Sequence, residues 1–173
     1  MCAVRVYIAV GSNIDPERNV PAALDRLMAH VAVEAVSTHY RTEPLGRPDQ
    51  PPFVNGVWEV AADRDARTLK SDVLRAVEAS LGRVRSADKY AARPIDLDIA
   101  VYGDLVMEEE DLVVPDPDIR ERPFIAVPLL ELARDLRLPD TGERLASLPV
   151  VRQTGGLEPL ADLTEMLRGR IRQ

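Results

Sequence analysis

The sequence has 173 residues, 46% of them hydrophobic, with 22 Lys and Arg against 29 Asp and Glu and a formal charge of −7. That is enough apolar material for one sizeable core, while the acidic balance excludes a broad nucleic-acid surface, which needs clustered Lys and Arg to displace counterions. The lone Cys2 excludes an internal disulfide framework, and no apolar run reaches the length of a membrane span.

In chain order, residues 3–10 (AVRVYIAV) read as a buried strand that runs into the turn Gly11-Ser12-Asn13. With no charged leader or hydrophobic signal stretch ahead of this strand, a cytoplasmic location is expected. Asp15 before Pro16 has the form of a helix cap, and Val20, Ala23, Leu24, Leu27, Met28 and Val31 mark one helical stripe. Pro21 removes a backbone donor, so the regular helix is expected to begin near Asn19. Residues 31–40 read as a second strand, followed by the proline- and glycine-rich loop 41–48. Residues 53–61 (FVNGVWEVA) resume strand character, with Gly56 marking a bulge or a close backbone approach.

Thr68 is placed as the cap of a second helix, carrying Leu69, Val73, Leu74, Val77 and Leu81 on its apolar face and ending at Gly82. The acidic run 108–111 reads as a solvated turn, residues 124–132 as a short helix and residues 135–139 as a brief edge strand. Beyond the Gln153-Thr154-Gly155-Gly156 break, residues 157–171 form an amphipathic packing helix. The order is that of an α+β fold, a ferredoxin-like βαββαβ antiparallel sheet with helices on one face. It implies one domain over residues 1–150 with a helical extension, 151–173, packed on it.

The chemistry is concentrated in residues 83–102. Ile95, Leu97 and Ile99 alternate with Asp96 and Asp98, so an extended chain projects both carboxylates from one face. Two adjacent anions call for a hard cation such as Mg²⁺, which prefers oxygen ligands and keeps substrate phosphates among them. Just upstream, Arg83, Arg85, Lys89 and Arg93 supply charge suited to phosphate oxygens. A metal-bound nucleotide triphosphate fits both halves.

The run K-Y-A-A-R-P-I-D-L-D-I-A from Lys89 resembles the signature of the 6-hydroxymethyl-7,8-dihydropterin pyrophosphokinase family. Further segments agree in order: Y-I-A-V-G-S-N at 7–13, Y-R-T-E-P-L-G at 40–46, F-V-N at 53–55, G-R-V-R at 82–85 and R-P-F at 122–124. The resemblance implies transfer of pyrophosphate from ATP to the hydroxymethyl pterin in folate biosynthesis. It implies two Mg²⁺ ions on Asp96 and Asp98, with Arg83 and Arg93 joining those carboxylates in catalysis. Arg85, Lys89, Ile99 and Arg122 then belong to the ATP side. The pterin ring is implied between Phe53 and Phe124, its edge read by Asn55 and by the backbone of Thr42 and Leu45. The expected partners are these small molecules alone, with no nucleic acid and no membrane, and the chain is expected to act as a monomer.

The chain departs from the family at Asp116 and Pro117, where histidine followed by tyrosine is usual, and in the basic loop at Tyr90, Ala91 and Ala92, where tryptophan, glycine and proline are usual. A carboxylate beside a triphosphate repels it unless a metal or an arginine intervenes. This motivates an alternative, a non-catalytic relative that keeps the pterin pocket, against which the retained Asp96, Asp98 and Arg93 argue. An RNA-binding ferredoxin-like domain needs exposed aromatics among basic residues, and the chain is only 4% aromatic.

Overall fold

Strand β1 (Val4–Ser12) is buried on both faces and lies inside the sheet. The computed structural model describes residues 2–173. Helix α1 (Pro16–Met28) follows, then β2 (Ala32–Val36), β3 (Tyr40–Thr42) and the long β4 (Phe53–Ala62). The next helical segment starts as α2 (Ala66–Thr68), passes through a π-helical turn (Leu69–Leu74) and ends as α3 (Arg75–Ser80). Strand β5 (Asp96–Tyr102) closes the βαββαβ unit, and a small hairpin, β6 (Met107–Glu109) and β7 (Leu112–Val114), follows it. Helix α4 (Pro123–Leu132), the short strand β8 (Glu158–Pro159) and helix α5 (Ala161–Ile171) complete the chain.

The sheet runs β5-β1-β4-β3-β8, with β2 also paired to β4, and every pairing is antiparallel. This is the ferredoxin-like order expected from the sequence. Val6, Ile8, Val10, Trp58, Leu97 and Ile99 form one core with Leu24 and Leu27 of α1, Leu69, Val73 and Val77 of the second helical segment, and Leu163 and Leu167 of α5. The opposite face is also covered. Tyr7, Val57, Ala100 and Val101 pack there against Ile125, Ala126 and Leu129 of α4, with Ile119, Leu138 and Leu145. The expectation of helices on one face therefore fails for α4, whose residues are apolar nearly all round and need a second surface to bury them.

Other boundaries also differ from expectation. Helix α1 begins at Pro16 and carries Pro21 inside it, because the carbonyl that Pro21 leaves unpaired is that of exposed Glu17 in the first turn, where the helix's own carbonyls are open to solvent. Asp15 makes no side-chain cap and sits at φ 45°, while the Asn19 amide donates to the Ile14 carbonyl at 2.6 Å. Asp65, not Thr68, caps the second helical segment: its carboxylate accepts from the Thr68 N–H and hydroxyl at 2.9 and 3.0 Å. Residues 31–40 are two strands, not one, because the pairing with β4 breaks at Ser37–His39. The acidic run 108–111 spans the β6–β7 hairpin, with Glu109 and Asp111 paired to Arg67. Residues 135–139 form only the single bridge Arg137↔Arg144, since Pro139 offers no donor for a longer ladder.

The Ser37–His39 break is where the C-terminal segment attaches. The His39 N–H donates to Thr164 Oγ1 at 2.9 Å, Leu160 N–H donates to the His39 carbonyl at 2.8 Å, and Glu131 of α4 receives both Thr38 and Arg168. The buried His39 ring is held at both nitrogens, 3.0 Å from the Ser37 carbonyl and 3.2 Å from the Trp58 indole N–H. A donor at Nε2 fixes that nitrogen as acceptor, so the proton is on Nδ1 and the ring is neutral. It also lies against Gly56, where an added Cβ would come within 2.5 Å of it.

Burial without a counter-ion lowers the His39 pKa from 6.5 to about 4. The unfolded chain therefore takes up a proton between those values that the folded chain refuses, and stability falls as pH drops through that window. We expect the wild type to lose about 2 kcal/mol more between pH 7 and pH 5 than a His39→Gln variant does. Urea unfolding at the two pH values measures it, and parallel losses in both proteins would show that His39 titrates normally.

Candidate active site

The register of the sheet builds the site. Across the face that α4 leaves open, Asp96 pairs with Gly11 and Gly11 with Asn55, while Asp98 pairs with Ala9. A bulge between β1 and β5 brings Ala100 and Val101 to the same face as the carboxylates, where α4 covers them. The small residues opposite Asp96 and Asp98 leave a cavity of about 380 Å³ over the sheet. A Cβ on Gly11 would stand 3.0 Å from Asn55 Oδ1. Side chains at this point would close the floor.

Of the residues singled out in the sequence, Thr42, Leu45, Phe53, Asn55, Lys89, Arg93, Asp96, Asp98, Arg122 and Phe124 line this one cavity. Phe53 comes from the start of β4 and Phe124 from the first turn of α4, both half-buried. The Asn55 amide donates to Thr42 Oγ1 at 2.7 Å, which fixes its rotamer and leaves its oxygen toward the floor near Gly11. Leu45 is exposed on the loop over the mouth.

Arg93 is the best-anchored cation. Its backbone N–H donates to Asn13 Oδ1 at 2.8 Å, its carbonyl accepts from Asn13 and Ile14, and its guanidinium meets Asp96 Oδ2 at 3.0 Å. The same guanidinium stands 6.0 Å from the Phe53 ring centre. Lys89 lies over the Tyr90 ring at 5.0 Å. Tyr90 in turn faces Gly46 across the mouth, and the Arg47–Asp88 ion pair with the Gln50-to-Tyr90 carbonyl bond joins the two loops.

Three predicted residues lie outside the cavity lining. Arg83 is largely buried, 3.9 Å from Asp96 Oδ1 and 3.4 Å from the Ile95 carbonyl, with its Nε unpartnered. Arg85 pairs with Glu78. The Ile99 side chain is in the helix-side core beneath the sheet, because the alternation that turns Asp98 up turns Ile99 down.

Glu78 was not foreseen, although a carboxylate beside the apolar stripe of its helix is a legible signal. It is buried, and its Oε1 accepts the Leu97 N–H at 2.8 Å, so it holds the segment between the two aspartates. Burial pushes its pKa up. Asn13, Glu43 and Asp118 were also passed over. Asn13 ties β1 to both mouth loops, through Arg93 and through Gln50 and Pro51. Glu43 and Asp118 line the cavity.

The electrostatics are those of an anionic cluster short of cations. Burial, then the charges of Asp96, Asp116 and Glu78, hold the Asp98 carboxyl well above the usual range. Asp116 is fixed at the edge of β5 by its N–H bond to the Ala100 carbonyl at 2.8 Å, and it caps the 3-10 turn Pro117–Arg120 through the Asp118 N–H. Burial raises its pKa to about 6. Arg120 does not neutralise it, being engaged by Asp140 and Glu143.

Residues 7–134 match the family described as 7,8-dihydro-6-hydroxymethylpterin-pyrophosphokinase. A 2-amino-4-hydroxy-6-hydroxymethyldihydropteridine pyrophosphokinase of Pseudomonas aeruginosa is 41% identical, over 90% of this chain and 96% of its own length. The Haemophilus influenzae protein of the same description is 36% identical over 80% and 87%. A folic acid synthesis protein of Pneumocystis carinii is 36% identical over 82% of this chain, a segment amounting to 19% of that longer protein. With the family match covering most of the chain and the cavity bringing its motifs together, the chain belongs to the 6-hydroxymethyl-7,8-dihydropterin pyrophosphokinase family.

Proposed function

We propose that the cavity is where this chain aligns the hydroxyl of 6-hydroxymethyl-7,8-dihydropterin with the β-phosphorus of ATP. The reaction is pyrophosphoryl transfer: the hydroxyl oxygen forms the new bond to the β-phosphorus, the bond to the α-phosphate bridging oxygen breaks, and AMP leaves. Such a transfer asks for positioning and charge neutralisation more than for covalent work. The observation that carries this reading is one cavity presenting two aromatic rings, an edge-reading amide and a carboxylate pair next to an anchored arginine.

The pterin lies between Phe53 and Phe124 in this reading, with its edge against Asn55 and the Thr42–Leu45 backbone. Asn55 is held by Thr42, so it meets the ring with its orientation already fixed. Arg93 and Arg122 line the cavity where phosphate oxygens need donors, and Lys89 approaches from the mouth loop. Arg83 acts from behind Asp96, and Arg85 is freed for phosphate only if it leaves Glu78. Ile99, buried in the helix-side core, offers the nucleotide no side chain.

Asp96 and Asp98 have the donor chemistry for Mg²⁺: hard oxygens on one face, mutually repelling, with no lysine or arginine shared between the two. Among the described residues no group of three or more His, Cys, Asp or Glu is placed to hold an ion. A pair of carboxylates suits an ion that takes its remaining ligands from substrate phosphates and water. Bound there, Mg²⁺ supplies charge neutralisation to the triphosphate. No helix among the described residues is long and apolar enough to cross a membrane. A cytoplasmic location accompanies this reading.

Asp96→Ala and Asp98→Ala should each fold normally and lower turnover by at least roughly a hundredfold. Wild-type turnover in either at saturating Mg²⁺ would remove the metal pair from the mechanism. Phe124→Ala should weaken pterin binding by about 1 to 3 kcal/mol with ATP affinity unchanged, as titration calorimetry would record. Asp116 and Pro117 offer the triphosphate no donor, so the combined Asp116→His and Pro117→Tyr change should lower the ATP KM, by an amount equivalent to about 1 kcal/mol. A raised KM would make Asp116 a working part of the nucleotide site.

A further inference from the structure

Strand β3 is out of step with the strand before it. Beyond β2 the Ser37 N–H still donates to the Val57 carbonyl at 3.0 Å, and β3 begins with Tyr40 opposite Asn55. Two residues, Thr38 and His39, therefore stand against the single Gly56. This is a bulge, and its extra residue reverses the face that every later side chain takes. Because of it Thr42, which pairs with Phe53, shares a face with Asn55 and holds the Asn55 amide at 2.7 Å. Continued without a break from the Val36↔Trp58 pair, the ladder would set Thr42 opposite Pro52, on the face away from Asn55.

A bulge leaves backbone donors without a strand partner, and both are taken here by side chains from far along the chain. The Thr38 N–H donates to the Glu131 carboxylate of α4 at 3.0 Å, and the His39 N–H donates to Thr164 Oγ1 of α5 at 2.9 Å. Leu160 N–H donates to the His39 carbonyl at 2.8 Å, and β8 pairs Pro159 with Tyr40 and Glu158 with Arg41 along the outer edge of β3. His39 and Thr164 are 0% and 2% exposed, so bulk water does not substitute for the hydroxyl. Apolar packing does not lock this edge either. A cavity of about 590 Å³ is lined there by Pro51, Pro52 and Val54 together with Pro159, Leu160 and Leu163. The bulge is thus held by hydrogen bonds, and Thr164 is the one side chain of α5 that reaches its backbone.

We propose that Thr164 is a positioning residue for the pterin site: by accepting the His39 N–H it keeps the extra residue in the ladder, and so keeps Thr42 turned toward Asn55. Its side chain lies outside the cavity and touches no reacting atom. Without that acceptor a buried N–H is unpaired, and relief comes from a shift of the bulge and of the three-residue strand that follows it. Such a shift draws Thr42 from Asn55 and frees the amide that meets the pterin edge. The carboxylate pair is built on β5, which β1 and β4 separate from β3, so the nucleotide side stays in place. The inference rests on the pterin reading given above.

The test is calorimetry without turnover, using the α,β-methylene analogue of ATP with Mg²⁺, and then 6-hydroxymethyl-7,8-dihydropterin added to that complex. The proteins are the wild type, Thr164→Val, Thr164→Ala, Thr164→Ser, Asn55→Ala and the Asn55→Ala/Thr164→Val double variant. We expect Thr164→Val to weaken pterin binding about fivefold or more, at unchanged stoichiometry and with analogue affinity within about twofold of wild type. Thr164→Ser, which restores the acceptor, should bind as the wild type does. Thr164→Ala leaves room for a water at the His39 N–H and should show a smaller loss for the same ligand, which keeps the test open if the valine variant does not fold. In the Asn55→Ala background the valine change should cost less than about twofold, since the residue it acts through is gone. Wild-type pterin affinity in the folded Thr164 variants overturns the proposal. So does an equal loss for both ligands, or a fall in stoichiometry alone, which a merely structural staple would give. So does persistence of the full defect in the double variant. Unchanged pterin affinity in Asn55→Ala itself would overturn the pterin reading, whereas a loss there beside normal Thr164 variants removes this inference alone.

Discussion

The site depends on one line of sheet register, Asp96 to Gly11 to Asn55, which crosses three antiparallel strands at a point where the middle residue has no side chain. Gly11 is required there because a Cβ would press on Asn55 at 3.0 Å, and Asn55 has no freedom to yield while its amide is bound to Thr42. A slip of one residue in either pairing would turn the aspartates into the helix-side core and Leu97 into the cavity. Val6, Ile8, Val10, Leu97 and Ile99, which share the helix-side core, oppose such a slip. Core packing and site geometry are therefore one constraint.

Two covered faces follow from that arrangement. The helix-side core fixes the strands, and the smaller core under α4 fills one half of the opposite face, leaving the other half as the cavity. The first turn of α4 then brings Arg122 and Phe124 to the cavity's rim. Because α4 and α5 are stitched to the Ser37–His39 break through Glu131, Arg168 and Thr164, the C-terminal segment steadies the strands beside Asn55.

Electrostatics set the demands on ligands. Asp96, Asp98, Asp116 and Glu78 are gathered where water is scarce, and of these Asp96 and Glu78 have close arginine partners. Such a cluster raises its own carboxyl pKa values and offers a strong field to cations. Arg93 and Arg83 meet Asp96 and Arg85 meets Glu78, which leaves Asp98 and Asp116 without a close cation among the described residues.

Much of this was legible in the chain. The alternation of Asp96 and Asp98 with Ile95, Leu97 and Ile99 determines which side chains share a face, since strand periodicity is local, and the family's motifs in order carry the fold and the reaction. Phe53, Asn55, Arg93 and Phe124, which line one cavity, could be named as candidates because each sits inside such a motif. Only the tertiary structure decided the rest. Whether Pro21 breaks a helix depends on whether the carbonyl it orphans meets water, and whether α4 lies with the other helices depends on how much sheet surface remains uncovered. That Arg85 faces Glu78, that His39 fills the space beside Gly56, and that Glu78 reaches the Leu97 N–H are long-range contacts. Their partners are set by packing, and no local pattern encodes them.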